Sequence, residues 1–467
     1  MFVLPIVGPG GIGKTTFTQH LYNEDRTKQR FTAMVWVCVS TNFDVTELTR
    51  KILKSLDAPE SQGSNIDSEK FLIVFDDIWE HDVSKVTSTK RFSKAEWEIL
   101  LAPLGTVETS VNMVLVTTWF PKLAEIVKEG TNQVDLYGLD PDDFWEFFRQ
   151  CAFSDTQDYS DKEDLIEIGK KVATKLKGSP LAAKTVGPLR IHWMKILQNE
   201  EWLKPNNGND SIIPALKISY DNLPFYLKKC FSYCALFPED YEFDSLEISC
   251  FWDSIGIIDS SGKNGKIEDI GSHYLNELYD NGFLMKRDDT KYVMHDLLHE
   301  LSQIVSSQEC AYINYSTFRA DDIQQSILHL SIAIEDKYTG NFEVQMEKLK
   351  KRVCIKNLRS VMIFGRYTSR RIANILKDIL NETMVLRVLF IFVMNLPNSV
   401  LSNFSKLVHL RYLKIETPLH GCNDMCVPST VSKLYHLKFL DLQSWRGSHR
   451  LPKDFSRLIN LRHFFAE

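Results

Sequence analysis

The stretch Gly8-Pro-Gly-Gly-Ile-Gly-Lys-Thr-Thr16 has the residue types and spacing needed to hold phosphate groups. Gly8, Gly13, Lys14 and Thr15 occupy the fixed places of a G-x-x-x-x-G-K-[ST] loop. Glycines at 8, 10, 11 and 13 let the backbone turn tightly and aim successive N–H groups inward. A helix starting at the same spot adds the positive end of its dipole. Lys14 would reach the outer phosphates and the Thr15 hydroxyl would ligate Mg²⁺, with Ile12 and Thr16 completing the cradle. The flanks fit this chemistry: Phe2 to Val7 is an apolar strand and Thr15 to Tyr22 a helix. Pro5 lacks a backbone N–H, which predicts a place at the beginning or edge of that strand.

A second group of candidates closes the strand Phe71 to Asp77, F-L-I-V-F-D-D. A carboxylate at the end of a strand beside a phosphate loop can hold Mg²⁺ through water, and its neighbour can orient or deprotonate an attacking water. Asp76 and Asp77 are assigned those roles. Val111 to Thr118 is a further strand ending in hydroxyls, and it places Thr118 among the nucleotide-binding candidates. Phe31 to Ser40 (F-T-A-M-V-W-V-C-V-S) has the continuous apolar, β-branched character of a buried parallel strand. Strands alternating with helices make residues 1–140 a parallel α/β P-loop NTPase domain.

The chain has 467 residues, 44% hydrophobic and 25% charged, enough for two to four domains. A net charge of -6 argues against a general DNA binder. The cysteines number nine and form no C-x-x-C pairs. With no apolar span of membrane length and no leader at Met1, they point to a reducing, cytoplasmic compartment. Cys230/Cys234 and Cys422/Cys426 read as buried free thiols rather than zinc ligands.

Beyond Asp140 the pattern is helical. Pro141 to Phe153 and Lys162 to Leu176 are amphipathic, and Gly178-Ser-Pro-Leu181 is a turn opening another helix. This α-helical domain is expected over 141–205, ending in the polar linker Pro205 to Asp210. Residues 206–310 read as a winged-helix domain, with helices at Pro214–Asn222, Tyr226–Leu236, Ser245–Ile255 and Ile267–Asn281 and a hairpin over Phe283–Met294. In Met294-His-Asp-Leu-Leu-His299, two histidines stand at i and i+4, but no third ligand is evident and Leu297, Leu298 and Leu301 read as core. Residues 311–355 are expected to be a linker region. From Leu358 onward Leu-Arg-Ser-Val361, Leu386-Arg-Val-Leu389, Leu410-Arg-Tyr-Leu413, Leu437-Lys-Phe-Leu440 and Leu461-Arg-His-Phe464 recur at spacings of 28, 24, 27 and 24. Such units predict a leucine-rich-repeat solenoid over 356–467, each unit giving one strand of a horseshoe. No capping repeat follows, which suggests a truncated chain.

The order of these signals resembles the plant nucleotide-binding leucine-rich-repeat (NB-ARC) disease-resistance proteins. Further blocks carry the resemblance: V-W-V-C-V-S at Val35 to Ser40, C-F-S-Y-C-A-L-F-P at Cys230 to Pro238 and M-H-D-L-L at Met294 to Leu298. The resemblance implies an ADP/ATP switch with Mg²⁺, closed by ADP and opened by exchange for ATP, which permits homo-oligomerisation. It implies that Pro180 packs on adenine, that His295 approaches the ADP β-phosphate, and that the repeats sense a pathogen effector or a host guard protein. Against the family's pattern the sequence is expected to lack the N-terminal signalling domain and to carry a short repeat array, and the stretches between Arg50 and Phe71 and after Gly187 are brief. The family's Thr-Thr-Arg is Thr117-Thr118-Trp119 here, which leaves ATP hydrolysis slow or absent. Competing expectations are an actively hydrolysing P-loop ATPase, a truncated non-signalling copy of a receptor, and a winged-helix transcription factor. The last would need a basic stripe that Ile212 to Glu300 lacks.

Overall fold

A computed structural model describes residues 2–39, 70–78, 93–102, 112–128, 132–153, 163–198, 212–258, 266–315, 318–334, 340–365, 370–392, 406–416, 429–443 and 451–466, with the isolated positions 45, 48, 49 and 52. The Cys422/Cys426 pair, the linker Pro205 to Asp210 and most of the stretch between Arg50 and Phe71 lie outside the described residues. Two compact units divide the chain, Met1–Asn222 and Leu223–Glu467.

The first unit is built on a five-stranded sheet of β1 (Phe2–Val7), β2 (Ala33–Cys38), β3 (Phe71–Ile78), β4 (Met113–Thr118) and β5 (Val134–Asp135), in the order β2-β3-β4-β1-β5. All neighbours are parallel. Their apolar runs are buried on both faces, as a parallel sheet covered by helices requires. Pro5 sits inside β1, opposite Val116, rather than at its start. The N–H groups of Phe2 and Gly8 point towards β4, so the alternation of a strand turns position 5 the other way. On that side β5 begins only at Ile6, so the missing donor at Pro5 breaks no ladder bond.

Helices complete this unit. The helices Pro141–Phe153, Glu163–Lys175, Pro180–Val186, Trp193–Gln198 and Ile213–Asn222 pack around Phe148 and Trp193, both fully buried. The Phe148 and Trp193 ring centroids are 5.3 Å apart, and the Trp193 indole N–H donates to the Val186 carbonyl at 3.1 Å. Its polar tip is thus satisfied inside an apolar cluster.

The second unit begins with helices Phe225–Cys234, Ser245–Ile255, Ile267–Asp280 and Asp296–Ser306, with a small antiparallel sheet of β6 (Phe243–Asp244), β7 (Met285–Lys286) and β8 (Lys291–Val293) in the order β6-β8-β7. The helix Ser245–Ile255 shows why the sequence breaks where it does. Asp244 caps its N-terminus, accepting from Leu246 and Glu247 N–H groups at 2.9 and 3.0 Å, and Gly256 at φ 92 ends it in the left-handed region. Cys230 and Cys234 are free thiols buried on the helix Phe225–Cys234, and burial raises the pKa of both.

The rest of this unit is built on a seven-stranded parallel sheet, β9 (Cys310–Asn314), β10 (His329–Ile334), β11 (Ser360–Gly365), β12 (Val388–Phe392), β13 (Tyr412–Glu416), β14 (Phe439–Leu442) and β15 (His463–Ala466), each strand beside its sequence neighbour, with the helices Gly340–Arg352 and Arg370–Glu382 between strands. The recurrent signals fall in register: Val361 opposes Leu389, which opposes Leu413, then Leu440, then Phe464. Leu358, Leu386, Leu410 and Leu437, which open the units, are fully buried under one face. Two strands of the sheet, β9 and β10, lie in or at the edge of 311–355, the stretch read from sequence as a linker. Their runs C-A-Y-I-N and H-L-S-I-A-I lack the L-x-x-L spacing, so only strand pairing reveals them.

The opposite face of this sheet meets the helix Ser245–Ile255. The Lys414 ammonium, buried between them, is 2.9 Å from a Glu247 carboxylate oxygen, 3.0 Å from Glu416 and 3.9 Å from Asp441. Tyr241 and Tyr412 hydroxyls donate to the same Glu247 oxygen at 2.9 and 3.2 Å. Lys438 pairs with buried Asp253 at 2.7 Å. Burial opposes the charge of Lys414, but Glu247, Tyr241 and Glu416 outweigh it, and its pKa rises.

Candidate nucleotide site

The ends of three adjacent strands converge on the phosphate loop. Because β4 lies between β1 and β3, the loop after β1 and the carboxylates ending β3 stand on either side of Thr117-Thr118-Trp119. Ligands of open α/β sheets gather at such carboxyl ends.

The loop has the backbone its glycines were expected to supply. Gly11 and Gly13 have φ of 69° and 98°, a region that side chains rarely adopt. At Gly8 the constraint is space, since an added Cβ would stand 2.5 Å from the Leu136 carbonyl oxygen. The helix Lys14–Asn23 starts at Gly13, so its first N–H groups open towards the loop. Lys14 is 6% exposed, and its ammonium donates to the Gly8 and Pro9 carbonyls at 2.9 and 3.0 Å. The same ammonium lies 5.3 Å from the centroid of the Trp119 ring.

Thr15 and Asp76 are brought together: the Thr15 hydroxyl donates to a carboxylate oxygen of Asp76 at 3.1 Å. A hydroxyl and a buried carboxylate, both hard oxygen donors, suit Mg²⁺. Asp77 takes φ 59, one of three positive-φ non-glycine residues among the described residues. The β3–β4 register shifts at this point, between Phe75 and Ile78, so the paired carboxylates sit on an irregularity that redirects them.

Thr117, which sequence reasoning passed over, binds the same carboxylate. Its hydroxyl donates to Asp76 at 2.5 Å and accepts from the Asp77 N–H at 2.7 Å. Thr118 was the expected site member, but its buried hydroxyl donates to the Ile78 carbonyl at 2.8 Å and accepts from the Phe120 N–H at 3.2 Å. Successive strand residues point to opposite faces, so the two hydroxyls cannot share one task. The strand's period of two was the signal that could have chosen between them.

The Gly-x-Pro-Leu turn also comes to the loop. Ser179 caps the helix Pro180–Val186, accepting from Ala182 N–H at 3.3 Å, and donates to the Gly11 carbonyl at 3.1 Å. The Leu181 N–H donates to that carbonyl too, at 3.3 Å, which sets Pro180 beside the loop between two anchored residues. The other expected residue, His295, belongs to the second unit. Its ring nitrogen accepts from the Leu297 N–H at 3.3 Å, capping the helix Asp296–Ser306, and it contacts the Asp296 carboxylate. His299 is buried with Nε2 2.8 Å from the Phe237 carbonyl, and burial lowers its pKa. The two rings of the i, i+4 pair therefore do different work.

The residues present fit a nucleotide and its cation: a glycine cradle, an ammonium and a hydroxyl–carboxylate pair at one strand edge. Comparison with known proteins supports the nucleotide part of this fit. A model of the NB-ARC domain matches residues 1–158, and one of the disease resistance protein winged helix domain matches residues 236–302. Disease resistance protein RGA2 of Solanum bulbocastanum is 33% identical over 335 residues, covering 67% of this chain and 33% of that protein. A second protein of that species named for disease resistance, RGA1, is 30% identical over 435 residues, 88% of this chain and 39% of its own. Disease resistance protein RPP8 of Arabidopsis thaliana is 25% identical over 509 residues, 99% of this chain and 51% of its own. The chain thus spans about a third to a half of the relatives it matches. With an NB-ARC domain followed by a disease-resistance winged helix, and such relatives along most of its length, the chain belongs to the NB-ARC family of plant disease resistance proteins.

Proposed function

We propose that this chain is an ADP/ATP-binding molecular switch of the plant innate immune response. The observation that carries the reading is the Gly11 carbonyl, held by both Ser179 and Leu181, because it ties the phosphate cradle to the helical region. A ligand that reorders the loop then has a direct mechanical route to the helices. The backbone of Gly8, Gly10, Gly11, Ile12 and Gly13, with Thr16, forms the cradle. Lys14 meets the outer phosphates, and Thr15 and Asp76 hold Mg²⁺, which would neutralise phosphate charge when bound. Thr117 fixes the Asp76 carboxylate, Asp77 acts on water, Pro180 flanks the base, and Thr118 braces the end of β4. Hydrolysis is slow or absent because Trp119 brings no charge to the phosphates.

The units are read as a P-loop domain over 1–140, a helical domain over 141–205, a winged-helix domain over 206–310 and a leucine-rich-repeat solenoid. The in-register ladder of Val361, Leu389, Leu413, Leu440 and Phe464 supports the solenoid, and β9 and β10 extend it towards the N-terminus. Its repeats serve recognition of an effector or host guard protein, or autoinhibition, and the ATP-bound form self-associates. The chain acts in the cytoplasm; among the described residues no helix is long and apolar enough to cross a membrane.

Mass spectrometry of ligand released by denaturing the purified chain tests the reading. ADP should appear at close to one per chain; a nucleotide-free protein that also fails to bind added ADP or ATP would overturn it. His295 is read as a donor to the β-phosphate of ADP. His295→Ala should then speed ADP release, and an off-rate equal to that of the unmodified chain would leave His295 as a helix cap only.

A further inference from the structure

We propose that Trp119 is the specificity-determining residue of the nucleotide site, selecting a nucleoside diphosphate over a triphosphate. The inference rests on the nucleotide-switch reading and deepens it. Three observations in the first unit carry it. The Trp119 ring follows β4 directly, at the strand end that stands between the phosphate loop and the carboxylates of β3. Its centroid is 5.3 Å from the Lys14 ammonium, which the Gly8 and Pro9 carbonyls hold from the loop side. Lys14 is therefore drawn back towards β4 and its own loop, at 6% exposure, instead of projecting beyond the cradle.

The chemistry follows from where charge must be met. An ammonium is attracted to the face of an indole, and the attraction strengthens as water is excluded. A diphosphate ends near the loop, so Lys14 can answer its terminal phosphate from close to this position. A triphosphate extends one group further and adds charge there. It must pull Lys14 off the ring, and it meets an uncharged, bulky side chain at the end of β4 where a guanidinium would supply fixed donors. The ring thus acts on both terms of discrimination: it retains the cation for the shorter ligand and offers the longer one nothing in exchange.

Titration of the full chain with ADP and with ATP, Mg²⁺ present, tests this by affinity and by tryptophan emission. The unmodified chain should prefer ADP by about tenfold or more. Trp119→Ala should bring the two affinities within about threefold, and Trp119→Arg should move the preference towards ATP. Trp119→Phe keeps a ring for Lys14 and should keep most of the preference, while losing the emission change that ADP produces in the unmodified chain. An equal ADP-to-ATP ratio in the unmodified chain and Trp119→Ala, with both still binding, would overturn the role of Trp119 alone. Loss of the emission change in none of the variants would do the same. Absence of binding of either nucleotide to the unmodified chain would instead overturn the switch reading on which the inference stands.

Discussion

Lys14→Ala should weaken ADP binding by about 1.5–3 kcal/mol, roughly ten- to a hundredfold, the scale of a charge-assisted hydrogen bond to phosphate. The structure gives two reasons to expect the upper part of that range. Lys14 is buried, so its attraction is little screened by solvent. Its ammonium also holds the Gly8 and Pro9 carbonyls, so alanine leaves the entrance of the cradle without the bonds that shape it. Isothermal titration separates this from general unfolding when paired with a melting curve in the absence of nucleotide. Wild-type ADP affinity in a folded Lys14→Ala chain would remove the phosphate-site assignment.

A larger effect, on stability, is expected at the other unit. Lys414→Met should destabilise residues 223–467 by about 3 kcal/mol near pH 7.5, because breaking a buried ion cluster strands the charges that remain. Here three carboxylates would stay behind, Glu247, Glu416 and Asp441, with the Glu247 oxygen still held by two tyrosines. The pH dependence has a definite sign. Burial already raises the pKa of Asp441, with Lys414 opposing that rise, and removing the lysine pushes the Asp441 carboxyl further up. A carboxylate whose folded pKa exceeds its unfolded one, about 4, binds more protons when folded. The variant therefore recovers stability as pH falls through the raised pKa of Asp441 and loses it again as pH rises. Urea titrations of both chains at pH 7.5 and 5.5 measure this. A difference below about 1 kcal/mol at pH 7.5, or one that grows at pH 5.5, would show that the cluster is not a coupled buried network.

The order of elements was readable because each carries its own local pattern. Gly8 to Thr16 needs only spacing, and the helix Ser245–Ile255 is bracketed by Asp244 and Gly256, so both are found where expected. What escaped was whatever depends on a neighbour distant in sequence. Thr117 meets Asp76 only because β4 inserts between β1 and β3, and no local pattern announces that order. Ser179 looks like an ordinary helix cap until its hydroxyl is seen at Gly11. β9 and β10 are short apolar runs whose membership of the long sheet is fixed by pairing, not by composition. Trp119 stands in the sequence only as a missing arginine, and its approach to Lys14 is an arrangement that the fold alone shows.

The two bonds to the Gly11 carbonyl bear on how the first unit folds. The Leu181 N–H is one of the donors that a helix leaves unmet in its first turn, and here the partner is a loop 170 residues earlier in the chain, with the Ser179 contact spanning 168. Closing so long a segment costs chain entropy before any contact repays it. The start of the helix Pro180–Val186 and the phosphate loop are therefore coupled across the unit: the two bonds to the Gly11 carbonyl form only once the helical region docks on the loop.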